Sequence, residues 1–216
     1  MSRKIILIGA GDTGTAAIEL LSSSTDYEIV GFLDDAKSGY HHGFPILGKF
    51  SDINKVKKEL KVKNVLVTIS LNLVARKQIV KKLVEDGFVC PVICHKSVLL
   101  SPSSEIGIGT IVFPYASIGH SAWVGNFCIV KPYVRVSYHA KVGDLSLLSP
   151  YCFVGSYSHV GKETVLYTRT TISPKISIGE RCVVYAHSVV EENVPSNSIV
   201  KGIPARYSKR TETINW

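Results

Sequence analysis

Sulfur and tryptophan are scarce in this chain, and long apolar runs are missing altogether. Among 216 residues there are one methionine, two tryptophans and five cysteines. The odd set of Cys90, Cys94, Cys128, Cys152 and Cys182 gives no disulfide framework, so packing is the expected use of these thiols. Cys90, Cys94 and His95 lie close together, but no second ligand pair follows at zinc-like spacing, and no metal is expected. A reducing compartment, the cytoplasm, is the expected location. No apolar stretch approaches the roughly 20 residues that cross a bilayer, which argues against membrane insertion. The apolar start, Ile5 to Ile8, is too short for a secretory leader and runs straight into glycines, so it reads as a first strand.

Acidic residues are also in deficit, 17 against 25 lysines and arginines, for a net charge of +8. The basic residues are scattered, apart from Lys55, Lys57, Lys58, Lys81 and Lys82 on predicted helices, and no nucleic-acid recognition motif accompanies them. Nucleic acid is therefore not an expected partner. A basic surface suits a small polyanion such as a nucleotide or coenzyme A.

The C-terminal half is periodic. From Ile106 to Val190 every sixth residue is aliphatic, among them Val124, Val142, Val160 and Ile178. Fifteen hits in register would arise by chance with a probability on the order of 10⁻⁷. Gly107, Gly125, Gly143, Gly161 and Gly179 follow these residues at intervals of eighteen, so three hexads make one coil. Four places beyond each aliphatic residue stands a small or β-branched one, such as Thr110, Cys128, Ser146 and Thr164. The pattern predicts a parallel β-helix of hexapeptide repeats, about five coils long. Its aliphatic residues fill a triangular interior, and the glycines permit turns that a Cβ would strain.

Length allows two domains, and the division is expected near residue 95: an α/β domain over 1–95, then the β-helix with a C-terminal tail over 96–216. In the first, strands are expected near 3–8, 27–33, 64–69 and 88–93. Gly9, Gly11, Asp12, Thr13 and Gly14 link the first strand to a helix, and free N–H groups at such a turn make an anion site. Asp34 and Asp35 end the second strand where a ribose-binding carboxylate belongs. Ser70 and Asn72 follow the third strand at its ligand-binding end and are candidates to contact a nucleotide, or Asn72 caps the next helix instead. His41 and His42 read as solvated loop residues. With so few strands this is half a Rossmann unit, suited to a mononucleotide better than to NAD.

The ordered set of Gly9-Ala-Gly-Asp-Thr-Gly14, Val30-Gly-Phe-Leu-Asp-Asp35, Gly43-Phe-Pro-Ile-Leu-Gly48, the hexapeptide repeats and Val200-Lys-Gly-Ile-Pro-Ala-Arg206 resembles the bacterial sugar acyltransferases typified by sialic acid O-acetyltransferase and bacillosamine N-acetyltransferase. The resemblance covers nearly the whole chain. It implies a left-handed β-helix, a homotrimer, a nucleotide-linked sugar held by the N-terminal domain, and acetyl-coenzyme A lying along the prism between subunits.

That family places a catalytic His, followed by an acidic residue, four positions before an Ile/Val-Gly pair. Counting back from Val142-Gly143, the His position carries Tyr138 and the acidic position carries His139. His120 occupies the same column one coil earlier. His159 and His187 complete the histidines of the prism. In the late coils, where the coenzyme's arm lies in the family, this chain has Tyr167 and Tyr185 in place of glycine, bulky rings that are expected to move or block the arm.

Acyl transfer to an amine or hydroxyl needs a base near neutrality and donors for the oxyanion. His139, with Asp144 placed to orient it, is the first candidate; His120 is the second, and Tyr138 is a potential hydrogen-bond donor. Two functions follow. One is an acetyl-coenzyme A dependent acyltransferase acting on an amino or deoxy sugar linked to a nucleotide, for surface glycan synthesis. The other is an inactive trimer that binds the sugar nucleotide in a structural or regulatory role.

Overall fold

Ile5, Ile6, Leu7 and Ile8 are all buried, and the strand that carries them organises the N-terminal unit. The structure is a computed structural model and describes residues 3–23 and 27–209. An unbroken apolar run suits a parallel strand covered on both faces. Here β1 (Arg3–Ile8) lies between β2 (Tyr27–Leu33) and β5 (Asn64–Val67), parallel to both. On the far side of β2 lie β4 (Phe44–Gly48) and then β3 (Tyr40–His41), giving the order β3-β4-β2-β1-β5.

Three helices cover this sheet: α1 (Asp12–Ser22), α2 (Ile53–Leu60) and α3 (Leu73–Glu85). They bury Ala17, Leu20 and Leu21 from α1, Ile53 and Val56 from α2, and Ile79 and Leu83 from α3. Each fully buried Leu or Ile contributes about 1.5–3 kcal/mol of transfer free energy. Asn72 caps α3, its Oδ1 accepting the Ala75 N–H at 2.9 Å.

Two expectations for this unit change. The stretch 88–93 makes only an isolated bridge from Val89 to Asn64 and a short strand at Ile93–Cys94. The segment 44–48 is a strand instead. Pro45, which cannot donate to a ladder, lies outside the pairs that join β4 to β2, Phe32 with Ile46 and Leu33 with Gly48.

Chain contacts divide the molecule between Pro91 and Val92. The second unit is a left-handed parallel β-helix. Its two-residue strands stack into three faces. Ser117–Ile118, Arg135–Val136 and Phe153–Val154 belong to the first face. Trp123–Val124 and Lys141–Val142 belong to the second, and Ile129–Val130 and Leu147–Leu148 to the third. Along the regular coils each strand pairs in parallel with the one eighteen residues on, so Val124 stacks on Val142 and Val142 on Val160, and only the last step of the third face, Val183–Val184 with Ile199–Val200, shortens to sixteen. The second face has five strands, which sets five complete coils. An antiparallel hairpin, Ser198–Gly202 with Ala205–Lys209, closes the third face. Of the expected C-terminal tail, 210–216 lie outside the described residues.

The aliphatic column is the core: from Val112 to Val190 every member is at most 2% exposed. The small column has a second use. Thr110 Oγ1 donates to the Gly125 carbonyl at 2.7 Å and accepts the Cys128 N–H at 2.9 Å. Thr164 repeats this with Gly179 and Cys182. Cys128 and Cys182 donate their thiols to the carbonyls of Gly143 and Pro195. Small polar side chains thus staple one coil to the next where larger ones would not fit.

The recurring glycines act differently from expectation. Gly143 and its counterparts keep ordinary negative-φ backbone, and it is proximity that excludes a side chain. A Cβ on Gly143 would lie 2.5 Å from the Lys162 backbone nitrogen. The left-handed conformation falls two residues later, on Phe127, Leu145, Glu163 and Arg181.

Candidate functional site

The corner between the first and second faces gathers the expected catalytic residues. Each coil turns there through four residues, 101–104, 119–122, 137–140 and 155–158. Stacking at an interval of eighteen puts His120, Tyr138 and Ser156 in one column and Ser103, Ser121, His139 and Tyr157 in the next. Backbone bonds fix the stack: His139 N–H donates to the His120 carbonyl and Tyr157 N–H to that of Tyr138, both at 2.9 Å. His139 has φ of 57°, but Ser121, Tyr157 and Lys175 share that conformation at 51°, 63° and 66°. The left-handed turn is therefore a property of the corner and not a strain particular to His139.

His120 and His139 meet edge to face, with ring centroids 5.3 Å apart and planes at 87°. His139 is half-buried and stacks on Tyr157 at 4.7 Å. His120 is exposed, and its Nδ1 lies 2.7 Å from Ser103 Oγ. Ser103 Oγ also accepts the Ser121 N–H at 3.0 Å and sits 3.2 Å from Ser101 Oγ.

Shallow grooves flank this ridge. That on the first face, about 420 Å³, is lined by His120, Tyr138, Arg135, Ser101, Ser117, Leu99 and Leu100 among others. That on the second face, about 500 Å³, is lined by Ser103, Glu105, Ser121, Ala122, Trp123 and Lys141. Tyr138 and His120 border the first groove; His139 borders neither.

Asp144 does not orient His139. It lies at the next corner, where Oδ1 accepts the Asn126 N–H at 2.7 Å and Oδ2 the Asn126 side-chain amide at 3.3 Å. Tyr167 and Tyr185 are also away from the histidines, at the corner that leads from the third face into the first. Their rings are tilted at 52° with centroids 6.0 Å apart. Burial, and then the neighbouring Tyr185, pushes the Tyr167 phenol above its ordinary range, so it is neutral at pH 7. Three thiols are kept protonated and so are poor nucleophiles: burial pushes Cys90 and Cys94 up to about 11 and Cys152 up to about 12.

In the N-terminal unit a cavity of about 210 Å³ opens at the C-terminal ends of β1, β2 and β5, as in other open α/β sheets. Gly9, Asp34, Asp35, Phe50, Ile69 and Asn72 line it. The two aspartates are committed to backbone. Asp34 accepts N–H groups from Ala10 at 2.7 Å, Ala36 at 2.9 Å and Lys37 at 3.0 Å, and so holds the glycine turn. Asp35 accepts the Phe50 N–H at 2.8 Å. Thr13 and Ser70, expected at a ligand, bond to each other at 3.1 Å. Gly11 is the N-cap of α1 without a side-chain cap, Asp12 lies in its first turn, and Gly14 packs the helix against Gly9.

His41 is not a plain loop residue. Its Nε2 lies 3.0 Å from Thr15 Oγ1, and its ring meets Phe32 edge-on at 5.1 Å. Burial, then the charges of Lys37 and His42, push its pKa down, which keeps it neutral near pH 7. Ser103 and Tyr157 were equally hidden from the hexad frame. An eighteen-residue count along side chains would have placed both beside the histidines.

Among the described residues, no cluster of His, Cys, Asp and Glu suits a metal, and no helix is long and apolar enough to cross a membrane. Residues 4–83 match the family described as the PglD N-terminal domain. No curated protein matches the chain. The acetyltransferase domain of PglB from Neisseria gonorrhoeae, solved with acetyl coenzyme A, superposes with a TM-score of 0.89 at 28% identity, covering 95% of this chain and 99% of that one. GDP-perosamine N-acetyltransferase from Caulobacter crescentus, solved with CoA and GDP-perosamine, gives 0.90 at 23% identity, covering 95% and 96%. WeeI from Acinetobacter baumannii gives 0.71 at 21%, covering 96% and 100%. At those lower identities the likeness speaks for the fold. The ordered motifs, the matching N-terminal domain and the whole-length likeness agree: a PglD-type N-terminal domain precedes a left-handed β-helix, an arrangement similar to that of the PglB acetyltransferase domain.

Proposed function

We propose that this protein transfers an acetyl group from acetyl-coenzyme A to the amine of a nucleotide-linked amino sugar. The observation that carries the proposal is the imidazole pair, His120 against His139 at 5.3 Å, on the prism corner where the family's base column runs. A neutral imidazole takes a proton from the amine as its nitrogen attacks the thioester carbonyl. The tetrahedral adduct then collapses, the C–S bond breaks, and the imidazolium returns its proton to the departing thiolate. Tyr138, at the rim of the same groove, is a donor for the oxyanion or the sugar.

The nucleotide occupies the N-terminal cavity beside Asp34, Asp35 and Asn72, with its phosphates toward Gly9, Gly11, Asp12, Thr13 and Gly14. Since Asp34 and Asp35 already hold backbone N–H groups, their contribution to the ligand comes through remaining lone pairs and through the loop they shape. The pantetheine arm runs along the prism past Tyr167 and Tyr185. Assembly as a homotrimer and a cytoplasmic location complete the reading.

A second reading is favoured by Tyr138, which stands where the family has its histidine: a trimer that binds the sugar nucleotide without acetyl transfer. Incubation with acetyl-coenzyme A and a panel of amino-sugar nucleotides, GDP-perosamine among them, separates the two. Release of free coenzyme A thiol, stoichiometric with acetylated sugar, is expected. Nucleotide binding with no thiol release from any acceptor would leave the binding role.

A further inference from the structure

We infer that His120, and not His139, is the general base, and that Ser103 is the positioning residue that holds it. The inference rests on the acyltransferase reading and specifies how this chain carries it out without the family's histidine–carboxylate pair.

The two imidazoles differ in what they touch. His139 is half-buried between Tyr157, stacked at 4.7 Å, and the edge of His120, and it borders neither groove. His120 is exposed on the first-face groove with Tyr138 and Arg135. Of the two, only His120 has a ring nitrogen held by a side-chain hydrogen bond among the described residues, 2.7 Å from Nδ1 to Ser103 Oγ.

Hydroxyl capacity decides what that bond can do. An oxygen of this type has one proton to give and two lone pairs to fill. The Ser121 N–H fills one lone pair of Ser103 Oγ, at 3.0 Å. With Nδ1–H of His120 filling the other, Ser103 gives its own proton to Ser101 Oγ, 3.2 Å away. The capacity of Ser103 Oγ is then filled, and Nε2 of the exposed imidazole keeps its lone pair. When Nε2 takes a proton from the acceptor amine, no hydrogen bond has to be rearranged, because Ser103 is already accepting from Nδ1. The reverse arrangement, Ser103 donating to Nδ1, must be undone before an imidazolium can form. The Ser101–Ser103 relay thus orients the imidazole and tolerates its charge, the role a carboxylate would fill beside a catalytic histidine.

Five variants and one spectrum test this. His120→Asn should lower kcat by a factor on the order of 10² to 10⁴, and His139→Asn by less than about tenfold. Ser103→Ala should lower kcat by about ten- to a hundredfold with KM changed by less than about twofold, and Ser103→Thr should restore it. The acid limb of the kcat profile should move down by about one pH unit in Ser103→Ala and up by about one in Ser103→Asp, since a carboxylate stabilises the imidazolium. Nitrogen-15 NMR of the wild-type protein should show His120 as the Nδ1–H tautomer. A larger loss in His139→Asn than in His120→Asn overturns the assignment while leaving an active enzyme. An Nε2–H tautomer, or an unmoved acid limb, overturns the role of Ser103. A wild-type protein that acetylates no acceptor overturns the acyltransferase reading itself and this inference with it, even where the tautomer is Nδ1–H.

Discussion

The imidazole of His139 lies nearly parallel to the ring of Tyr157, 4.7 Å between centroids and 13° from coplanar, one coil apart on the same corner. That separation is the spacing of hydrogen-bonded strands, about 4.8 Å, so two planar side chains at an interval of eighteen stack without adjustment. The same geometry stacks Tyr115, Tyr133 and Tyr151 at 5.1 and 4.9 Å on another corner.

Such a ring pair is worth about 0.5–1.5 kcal/mol beyond the area it buries. Tyr157→Ala should lower the melting temperature of the prism by about 2–5 °C, and Tyr157→Phe should leave it unchanged. Thermal scans by circular dichroism read the difference. Equal losses in both variants would assign the effect to the phenol oxygen and not to the stack.

The glycine turn makes a sharper pair of predictions. A Cβ on Gly14 would lie 2.4 Å from the Gly9 carbonyl oxygen, whereas one on Gly11 meets nothing within 4 Å. Gly14→Ala should therefore destabilise the N-terminal unit by about 1–3 kcal/mol, the usual cost of overpacking. Gly11→Ala should stay within about 0.5 kcal/mol. Denaturant titration of each variant decides, and comparable losses would show that the turn is limited by backbone conformation instead of helix packing.

Much of this fold is legible because its signals are redundant. The aliphatic column repeats through every hexad, so a few exceptions cannot hide it, and the first strand announces itself by four consecutive buried residues. The site is less legible because it is written at an interval of eighteen. Ser103 and His120 are remote in the hexad frame and adjacent only after coils are stacked; Asp144 looks adjacent to His139 in sequence and turns out to serve Asn126 at another corner. In the N-terminal unit the carboxylates were legible and their work was not. Asp34 reads as a ribose ligand from its place at a strand end, yet the nearest donors are the N–H groups of Ala10, Ala36 and Lys37.

Asp34 gives the pH prediction. Burial alone would raise its carboxyl, but the N–H groups of Ala10, Ala36 and Lys37, helped by the Lys37 charge, outweigh it and hold the pKa below the ordinary 3.8. A depressed folded-state pKa contributes stability that is fully present above the unfolded value and lost as pH falls through the folded one. Asp34→Asn should thus melt lower than the wild type at pH 7, with the gap narrowing as pH falls below the ordinary carboxylate value of 3.8. Parallel melting curves across that range would mean that the carboxylate charge does not hold the turn.

The coil staples provide the last test. Thr164 Oγ1 donates to the Gly179 carbonyl and accepts the Cys182 N–H, both at 3.1 Å, deep in the prism. Thr164→Val keeps the shape and removes both bonds, so Cys182 loses the oxygen that its N–H uses. A buried polar group deprived of a partner costs about 1–3 kcal/mol, or several degrees in melting temperature for a protein of this size. Ser188 occupies the same small column near the end of the prism, where the closing hairpin replaces the next regular coil. Its hydroxyl is buried with no hydrogen-bond partner among the described residues. Ser188→Ala removes an unsatisfied oxygen and should be neutral or slightly stabilising. A loss at Ser188 as large as that at Thr164 would show that the column acts through side-chain volume and that the hydroxyl bonds between coils contribute little.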